Sequence, residues 1–321
     1  MKRFPLAVLT TALALAPLLG HAQAFPEKPI TFVVPFAAGT ATDQIARAIG
    51  NQVAAETKQA VIIDNKAGAS GFIASQNVAK APADGYTVLI TTNTTHAANE
   101  HLFKKLPYDP VKDFVPVAAL GKGGQIMVVN PSFPAKSVAE FIALAKKEPG
   151  KYSFGSGSSS SRMAGELLQQ MADIRLLHVP YKSNTLAVTD LLGGQIHMMI
   201  TDTATGLPQV KAGKLRALGF SSSVRSPLAP DVPTISEAGV KGYEMGYWFA
   251  AYAPAKTPPA VVKRLNELLV KAAKSDAAKT AFYEPTGTEV YTTSPEELAK
   301  FQAAESQKWG RIVKAAGIEA E

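Results

Sequence analysis

The sequence predicts an α/β fold built as two lobes, each a mostly parallel sheet flanked by helices, with two strands that cross between the lobes. Two observations support this prediction. Short β-branched and apolar runs alternate with helical apolar spacing along almost the whole chain, which is typical of βαβ units. In addition, two glycine-containing segments, 121–124 and 242–248, lie where the chain can cross to a second lobe and return.

The first 24 residues differ in composition from the rest of the chain. Two basic residues precede an apolar stretch from Phe4 to Gly20, and Ala-Gln-Ala follows, ending at Ala24. A basic start, an apolar core and small residues at this spacing predict a secretory signal peptide, residues 1–24, cleaved after Ala24. The alternative is a membrane anchor, for which the apolar stretch is short.

Composition excludes several classes of function. The 321 residues include no cysteine and carry a formal net charge of +7. Without cysteine the chain has no lipidated Cys after the signal, no thiolate nucleophile and no Cys-based zinc site. The sequence contains no H-E-x-x-H motif, and no Lys/Arg run alternates with aromatic residues. We therefore predict no metal, no cofactor and no nucleic-acid partner, and we place the exported protein in the periplasm.

The elements follow in order along the chain. The strand candidates are Ile30–Val34, Ala60–Asp64, Tyr86–Thr91, Phe114–Leu120, Ile126–Val129, Tyr152–Phe154, Leu176–Val179, Ile196–Ile200, Leu215–Phe220 and Tyr247–Ala253. Helical spacing covers about 42–57, 71–80, 137–148, 161–172, 184–193, 258–274 and 294–315. Capping boxes support two of these helix starts, Ser137 with Glu140 and Ser294 with Glu297.

The two glycine-containing crossings predict the lobe boundaries. If both are hinges, the first lobe comprises residues 25–123 and 247–321, and the second comprises residues 124–246. The first lobe is then discontinuous, and a cleft lies between the lobes. In such sheets, ligands bind beyond the carboxyl ends of the strands and close to helix N-termini.

Four loops of small polar residues connect a strand to a helix. They are Pro35–Asp43, Asn65–Gly71, Thr91–His96 and Gly155–Arg162. Each presents unpaired backbone N–H groups and the positive end of a helix dipole, which together can hold a carboxylate without a buried cation. Small residues let the ligand approach the backbone closely. The alternative is that these are ordinary connections with good N-caps.

The segment Gly155–Ser161 is the loop richest in hydroxyl groups. It is not a phosphate-binding loop, because no G-K-[ST] ending follows. A nucleophilic serine is a second interpretation, although no G-x-S-x-G motif occurs. The histidines available as a base are His96, His101, His178 and His197. A secreted serine hydrolase therefore stays open as an alternative.

Arg162 and Asp202 are candidates for charged contacts. Arg162 lies in the first turn of a predicted helix, where a cation is unfavourable unless an anion such as a ligand carboxylate pairs with it. An exposed arginine that reaches away from the helix end is the alternative. Asp202 either holds a ligand amine or hydroxyl or caps a helix near Gly206. Aromatic residues flank the predicted cleft and either stack on a ligand ring or pack in the core: Phe36, Tyr181, Tyr247 and Trp248.

Taken together, these segments resemble the periplasmic solute-binding receptors of tripartite tricarboxylate transporters, known as Bug receptors. The matching stretches cover nearly the whole chain. They are FPEKPITFVVPFAAGTATDQIARAI, IIDNKAGASGFIASQNVAKAPADGYTVLI, LPYDPVKDFVPV, HVPYKSNTLAVTDLLGGQI, VKAGKLRALGFSSSVRSPLAPDVPTISEAGVKGYE and YAPAKTPPAVVKRLNELLVKA.

The resemblance implies a Venus flytrap periplasmic binding protein that captures a carboxylate and passes it to membrane transporter subunits. The family's P-F-x-x-G-G-x-x-D loop, which holds a carboxylate partly through ordered waters, corresponds to Pro35–Asp43, with Thr40 in place of the second Gly. The family's Gly/Ser loop corresponds to Gly155–Ser161, and Arg162-Met163 stands where many members have His-Leu. The sequence Pro180–Thr185 replaces the usual P-Y-K-G and adds two hydroxyl groups.

We therefore predict a non-enzymatic receptor for a carboxylate, with an aromatic or dicarboxylic acid favoured. The alternatives are an extracytoplasmic sensor that reports to a partner such as a sensor kinase, and the serine hydrolase. The predicted ligand-binding residues are Phe36, Ala38, Thr40, Thr42, Asp43, Asn65, Thr92, His96, Ser156, Ser158, Ser159, Arg162, Ser183, Thr185 and Asp202.

Overall fold

The computed structural model describes residues 25–315 and 317–320, so the predicted signal peptide lies outside the described residues. The strands are β1 (Ile30–Val34), β2 (Val61–Asn65), β3 (Thr87–Thr92), β4 (Phe114–Val129), β5 (Ser153–Ser156), β6 (Leu177–Pro180), β7 (Met198–Asp202), β8 (Arg216–Phe220) and β9 (Gly246–Pro254). The α-helices are α1 (Ala41–Thr57), α2 (Phe72–Ala79), α3 (Asn99–Leu102), α4 (Val138–Lys147), α5 (Ser159–Ala172), α6 (Asn184–Leu192), α7 (Thr203–Lys211), α8 (Pro259–Lys274), α9 (Asp276–Ala278), α10 (Glu284–Thr286) and α11 (Pro295–Ala315). Short 3₁₀ and π turns cover Ala69–Gly71, Thr94–Ala98 and Lys279–Tyr283.

The strands form two sheets that share β4. In the first, the order is β2-β1-β3-β9-β4, with β1 parallel to β2 and β3 and with β9 antiparallel to its neighbours. In the second, the order is β4-β7-β5-β6, with β5 parallel to β6 and β7. Both β7 and β8 run antiparallel to β4. The α/β prediction with two lobes is therefore confirmed.

Strand β4 joins the two lobes. Its first part, residues 114–124, pairs with β9, and its last part, residues 125–129, pairs with β7. The prediction of two separate strands, ending at Leu120 and starting at Ile126, was wrong. The glycines between them stay extended because they pair with β9, and a Cβ at Gly123 would lie 2.5 Å from the Tyr247 hydroxyl. The lobe boundaries by residue number stay a prediction.

Several helical segments were not predicted from the sequence. The segment that begins at Thr94 forms a π turn and then α3, where only a polar loop was predicted. Helix α7 was expected only as a helix near Gly206 that Asp202 could cap, because Gly206 and Pro208 interrupt the helical pattern in the sequence; Pro208 lies inside this helix, beyond its first turn, where proline cannot donate a helical hydrogen bond. None of the helices in the described part of the chain is long and apolar enough to cross a membrane.

The hydrophobic core lies on both faces of the sheets. Ile30, Phe32 and Val34 on one face of β1 pack towards α1 and α8, while Val33 contacts the cluster on the opposite face. A strand buried on both faces explains the continuous apolar run in the sequence. The carboxyl ends of β1, β3 and β5 carry the loops that approach the space between the lobes, and this arrangement positions the candidate site.

Candidate functional site

A chamber lies between the lobes at the carboxyl ends of the strands, and we call it the inner chamber. Its cavity volume is about 40 Å³, which is below the usual range for small-molecule sites. Both lobes and the returning strand β9 contribute to its walls. The lining residues are Phe36, Thr40, Ala41, Thr42, Thr92, Asn93, Gln125, Gly157, Ser158, Ser160, Asn184, Asp202, Tyr247 and Phe249.

The loop between β1 and α1 brings the first turn of α1 to the inner chamber. Gly39 adopts φ 81°, a left-handed conformation that favours glycine, and the Thr40 hydroxyl donates to the Ala37 carbonyl at 2.7 Å. Gln44 donates the first helical hydrogen bond of α1, to the Thr40 carbonyl. Within the described part of the chain, the N–H groups of Ala41 and Thr42 therefore have no acceptor, as expected for a first helical turn.

Asp43 stabilises this loop through hydrogen bonds and does not line the chamber. Its carboxylate accepts hydrogen bonds from the Gly39 N–H at 2.9 Å, from Asn65 at 3.0 Å and from Arg47 at 3.0 Å. Burial raises the pKa of Asp43, but these hydrogen bonds and the charge of Arg47 outweigh burial and hold its pKa below the ordinary value. Asn65 also donates to the Phe36 carbonyl. Neither Asp43 nor Asn65 lines the chamber, and both hold the loop through these hydrogen bonds, so their predicted contact with a ligand stays a prediction.

The second lobe brings the N-terminus of α5 to the same chamber. Ser158 caps this helix, because its side chain accepts from the Ser161 N–H at 3.2 Å. Arg162 makes the first helical hydrogen bond to the Ser158 carbonyl, which leaves the N–H groups of Ser159 and Ser160 without an acceptor among the described residues. Two helix N-termini, one from each lobe, thus reach one chamber.

A chain of hydrogen bonds fixes the second-lobe wall. The Gly157 N–H donates to the Asn184 side chain at 2.9 Å, and Asn184 in turn donates to Asp202 at 3.0 Å. The other carboxylate oxygen of Asp202 accepts from the Thr205 N–H, so Asp202 caps α7. Of the two predicted roles for Asp202, the structure shows the cap, and it also places Asp202 in the chamber wall.

The inner chamber favours an anion without a cationic side chain. Its described lining residues include no Lys, Arg or His, and Asp202 is the acidic one. The favourable field comes from the N-terminal ends of α1 and α5, where unpaired N–H groups and the helix dipoles coincide. The Thr42 hydroxyl adds a further donor, since no hydrogen bond within the described chain involves it.

A wider space, the outer chamber, continues from the inner chamber past Phe36, Gly157 and Ser158. It is lined by Phe36, Gly68, Ser70, Gly71, Phe103, Ser156, Gly157, Ser158, Ser159, Arg162, His178, Pro180, Tyr181 and Lys182. Arg162 and Lys182 make it cationic, and no described acidic residue lines it. Arg162 Nε also lies 3.9 Å from Glu166 Oε1. Burial raises the pKa of Glu166 above its ordinary value, although the charge of Arg162 acts to lower it.

The predicted residues fall into three groups. Those in the inner chamber wall are Phe36, Thr40, Thr42, Thr92, Ser158 and Asp202, and those in the outer chamber wall include Ser156, Ser159 and Arg162. Those that line neither chamber are Ala38, Asp43, Asn65, His96, Ser183 and Thr185. The side chain of Ser183 caps α6, whereas Thr185 and Ala38 are exposed.

His96 lies in the core of the first lobe. It is fully buried, stacks on Tyr252 at a centroid distance of 3.9 Å, and pairs through Nδ1 with the Thr95 hydroxyl at 2.8 Å. Burial lowers the pKa of His96 to about 3, so the ring is neutral at ordinary pH. We therefore do not place His96 in the ligand site.

The sequence reasoning missed Asn93, Gln125 and Asn184 as individual wall residues. Asn93 lies inside the predicted polar loop 91–96, and Asn184 lies inside the segment 180–185. Their positions in these two segments were the signal in the sequence that could have identified them as wall residues. Gln125 had a weaker signal, a single polar residue at the start of an apolar strand. Among the described residues, no group of three or more His, Cys, Asp or Glu side chains could hold a metal ion.

Comparison with known proteins identifies a family and several relatives that this chain is similar to. The family model described as tripartite tricarboxylate transporter family receptor matches residues 45–318. The protein in the tcbD-tcbE intergenic region of Pseudomonas sp. (strain P51) is 37% identical over 294 residues, 91% of this chain and 87% of the relative. BugT of Bordetella pertussis is 34% identical over 312 residues, 96% of this chain and 95% of the relative.

Solved structures show the same fold. The R. palustris protein Rpa4515, solved with adipate, matches with a TM-score of 0.89 at 35% identity, covering 92% of this chain and 100% of that chain. The periplasmic binding protein BugD matches with a TM-score of 0.88 at 31% identity, again covering 92% of this chain and 100% of that chain.

Proposed function

Because the chain belongs to the tripartite tricarboxylate transporter receptor family, we propose that it captures a small organic carboxylate in the inner chamber and delivers it to membrane subunits of such a transporter. The family is one of solute receptors and not of enzymes. In this proposal the protein acts in the periplasm after cleavage following Ala24. The lobes comprise residues 25–123 with 247–321 and residues 124–246, and they close on the ligand.

The observation that carries this proposal is the meeting of two helix N-termini at one chamber. The unpaired N–H groups of Ala41 and Thr42 come from the first lobe and that of Ser160 from the second, with the N–H of Ser159 beside it at the outer chamber, so a carboxylate between the two helix starts contacts both lobes. Buried N–H donors stabilise an anion strongly, because charge-assisted hydrogen bonds are about twice as strong as neutral ones. The related protein solved with adipate supports the class of ligand.

The outer chamber supports a ligand with a second group. It follows directly from the inner chamber and contains Arg162 and Lys182, which favour a distal carboxylate. Phe36, Phe103 and Tyr181 line the same space and offer apolar and aromatic contact to a chain or ring. We therefore propose a dicarboxylate or an aromatic acid as the ligand, with the first carboxylate in the inner chamber.

A screen of organic acids tests the proposed function. Thermal unfolding of the mature protein is measured with a library of monocarboxylates, dicarboxylates and aromatic acids, and each hit is titrated by calorimetry. At 100 times the dissociation constant, a bound acid stabilises the folded state by about 2.7 kcal/mol, which raises the melting temperature measurably. The matched control is the methyl ester of each hit with every carboxyl group esterified, which has no carboxylate. A protein that no free acid stabilises contradicts the proposal.

One contact favours the serine hydrolase as a second candidate. The Ser156 hydroxyl and His178 Nε2 are 2.7 Å apart in the wall of the outer chamber, a nucleophile–base distance. This candidate predicts hydrolysis of small esters that a Ser156→Ala variant lacks and a Ser153→Ala variant keeps, since Ser153 makes the equivalent pair with His197 outside both chambers. The receptor proposal predicts no hydrolysis by any of the three proteins.

A further inference from the structure

A buried hydrogen bond joins the two lobes beside the chambers, and we call it the interlobe bond. The Ser159 hydroxyl, at the start of α5 in the second lobe, donates to Asn99 Oδ1, at the start of α3 in the first lobe, at 2.8 Å. Asn99 is 0% exposed and Ser159 is 5% exposed. Because the two residues follow strands of different sheets, β3 and β5, the bond breaks when the lobes separate.

The first lobe fixes the orientation of the Asn99 amide. Its nitrogen donates to the Ser70 carbonyl at 2.9 Å and to the Tyr108 hydroxyl at 3.2 Å. The Tyr108 hydroxyl donates in turn to the Thr95 carbonyl at 2.8 Å, so its oxygen is the acceptor for Asn99. Since the Ser70 carbonyl can only accept, the amide nitrogen faces Ser70 and the amide oxygen faces Ser159. The first lobe therefore presents a prearranged acceptor to the second lobe.

The interlobe bond holds residues that form the ligand space. Ser70 and Ser159 both line the outer chamber, one from each lobe, and Asn99 connects them. Asn99 itself lines neither chamber. The N–H group of Ser159 is one of the unpaired donors at the start of α5, whereas its hydroxyl is the group that Asn99 holds. The bond therefore positions the start of α5 against the first lobe and leaves the backbone donors free for a carboxylate.

We propose that Asn99 is a positioning residue that holds the lobes together on the bound acid through the Ser159 hydroxyl, and so slows release of the acid. This inference rests on the proposed function, because a bond between the lobes affects binding only if the ligand lies between them. The acid enters while the lobes are apart and the bond is absent, so Asn99 has little effect on association. Release requires the lobes to separate, which breaks the bond, so Asn99 affects dissociation.

Binding kinetics of Asn99 and Ser159 variants test this inference. The association and dissociation rate constants of the best acid are measured by stopped-flow intrinsic fluorescence, because Tyr247 lies in the wall of the inner chamber. Asn99→Leu and Ser159→Ala each remove one partner of the interlobe bond. We expect dissociation about three- to tenfold faster in each variant, which corresponds to one net hydrogen bond, and association within about twofold of wild type.

The double variant separates an action through this bond from two unrelated effects. If both residues act through the bond, Asn99→Leu combined with Ser159→Ala releases the acid no faster than the quicker single variant. The matched control is an equivalent pair within the second lobe. The Ser132 hydroxyl donates to Asn130 Oδ1 at 2.8 Å, Asn130 also donates to two backbone carbonyls, and neither residue lines a chamber. Asn130→Leu and Ser132→Ala should keep both rate constants at the wild-type values.

The possible results distinguish this inference from the proposed function. If the wild-type protein binds an acid and both single variants release it at the wild-type rate, the inference is wrong and the proposed function stands. If the two increases in dissociation rate multiply in the double variant, Asn99 and Ser159 act independently, which also overturns the inference. Slower association with unchanged dissociation contradicts it as well. If no acid binds to the wild-type protein, both the inference and the proposed function are contradicted.

Discussion

Thr42 and Ser158 occupy similar positions at the starts of α1 and α5, but their hydroxyl groups are used differently. The Ser158 side chain accepts from the Ser161 N–H and is 3.1 Å from the Ser160 hydroxyl, so it already stabilises its own helix. The Thr42 hydroxyl has no hydrogen bond within the described chain, and Thr40 rather than Thr42 is the N-cap. Thr42 is therefore the clearer test of ligand contact, whereas Ser158 combines ligand contact and stability.

We expect Thr42→Ala to weaken binding of the best acid by about 1–3 kcal/mol, because a buried ligand oxygen loses its donor. Calorimetry gives the change in affinity. Thr57→Ala is the matched control, since Thr57 lies at the other end of α1 and its hydroxyl donates to the Val53 carbonyl. Equal affinities for the two variants would remove Thr42 from the contact surface.

Arg162→Ala is expected to reduce affinity for dicarboxylates more than for monocarboxylates. The outer chamber holds Arg162, and a distal carboxylate there gains a charge-assisted hydrogen bond worth about 1.5–3 kcal/mol. A monocarboxylate of the same chain length, titrated into the same variant, is the internal control. Losses of the same size for both acids would mean that Arg162 does not contact the distal group.

At the scale of elements, the loops that follow β5 and β6 are in direct backbone contact. A Cβ at Gly157 would lie 1.8 Å from the Ser183 carbonyl carbon and 2.1 Å from the Asn184 nitrogen. No side chain fits this space, so the two loops must separate if Gly157 is replaced. The contact couples the N-terminus of α5, in the inner chamber, to the start of α6.

Gly157→Ala should therefore abolish detectable binding of the best acid while the far-ultraviolet circular dichroism spectrum stays close to wild type. The reason is that the loop before α5 moves away from the chamber. Gly193→Ala is the control, because the nearest atoms to a Cβ at Gly193 lie at an ordinary 3.6 Å. Wild-type affinity in Gly157→Ala would show that this loop does not set the ligand geometry.

The π turn Thr94–Ala98 and His96 make the stability of the first lobe sensitive to pH. The ring of His96 is neutral in the folded state, and burial lowers its pKa to about 3 from the ordinary 6.5. Its contribution to stability is present above the unfolded pKa and is lost as the pH falls from about 6.5 towards about 3, since only the unfolded chain binds the proton there.

Between about pH 7.5 and about pH 5, His96 should account for a loss of about 2 kcal/mol in the free energy of unfolding. Urea denaturation at both pH values measures the loss in wild type and in His96→Phe, which keeps an aromatic ring on Tyr252. The variant should lose about 2 kcal/mol less than wild type over this range. A variant with the same loss as wild type would show that His96 is not the titrating group.

Some strands and helices were predicted accurately from the sequence, whereas some chamber residues were not. Strand β1 and helices α1 and α8 were predicted within a residue or two, because buried runs and helical periods are local patterns. The chamber residues Asn93 and Gln125 were missed because their positions are fixed by the Gly246 and Ser160 carbonyls, which come from distant parts of the chain.

Asp43 shows that the sequence does not tell which kind of contact a residue in a recognised motif makes. The loop around it lies at the chamber, yet the Asp43 carboxylate binds Gly39, Arg47 and Asn65 and does not line the chamber. A motif residue at a helix start looks the same in the sequence whether it contacts the ligand or holds the loop. Only the three-dimensional position of Asn65, which arrives from β2, separates these roles.

At the scale of the whole molecule, strand β4 and the hydroxyl of Tyr247 connect the lobes. Tyr247 Oη lies 2.9 Å from the Thr203 hydroxyl at the start of α7 and 2.9 Å from the Thr288 hydroxyl in the C-terminal part of the chain. Tyr247 also lines the inner chamber. Tyr247 therefore makes its hydrogen bonds beside the chamber, and we expect a ligand that contacts Tyr247 there to affect the relative position of the lobes.

The most direct measurement is the response of backbone amide signals to the best acid in a ¹⁵N-labelled, deuterated protein, followed by NMR. We predict large downfield ¹H shifts for Ala41, Thr42, Ser159 and Ser160, all four following one binding curve, because one carboxylate accepts from both helix starts. Small shifts at these four amides, with large shifts elsewhere, would contradict the account that the two helix N-termini hold the acid.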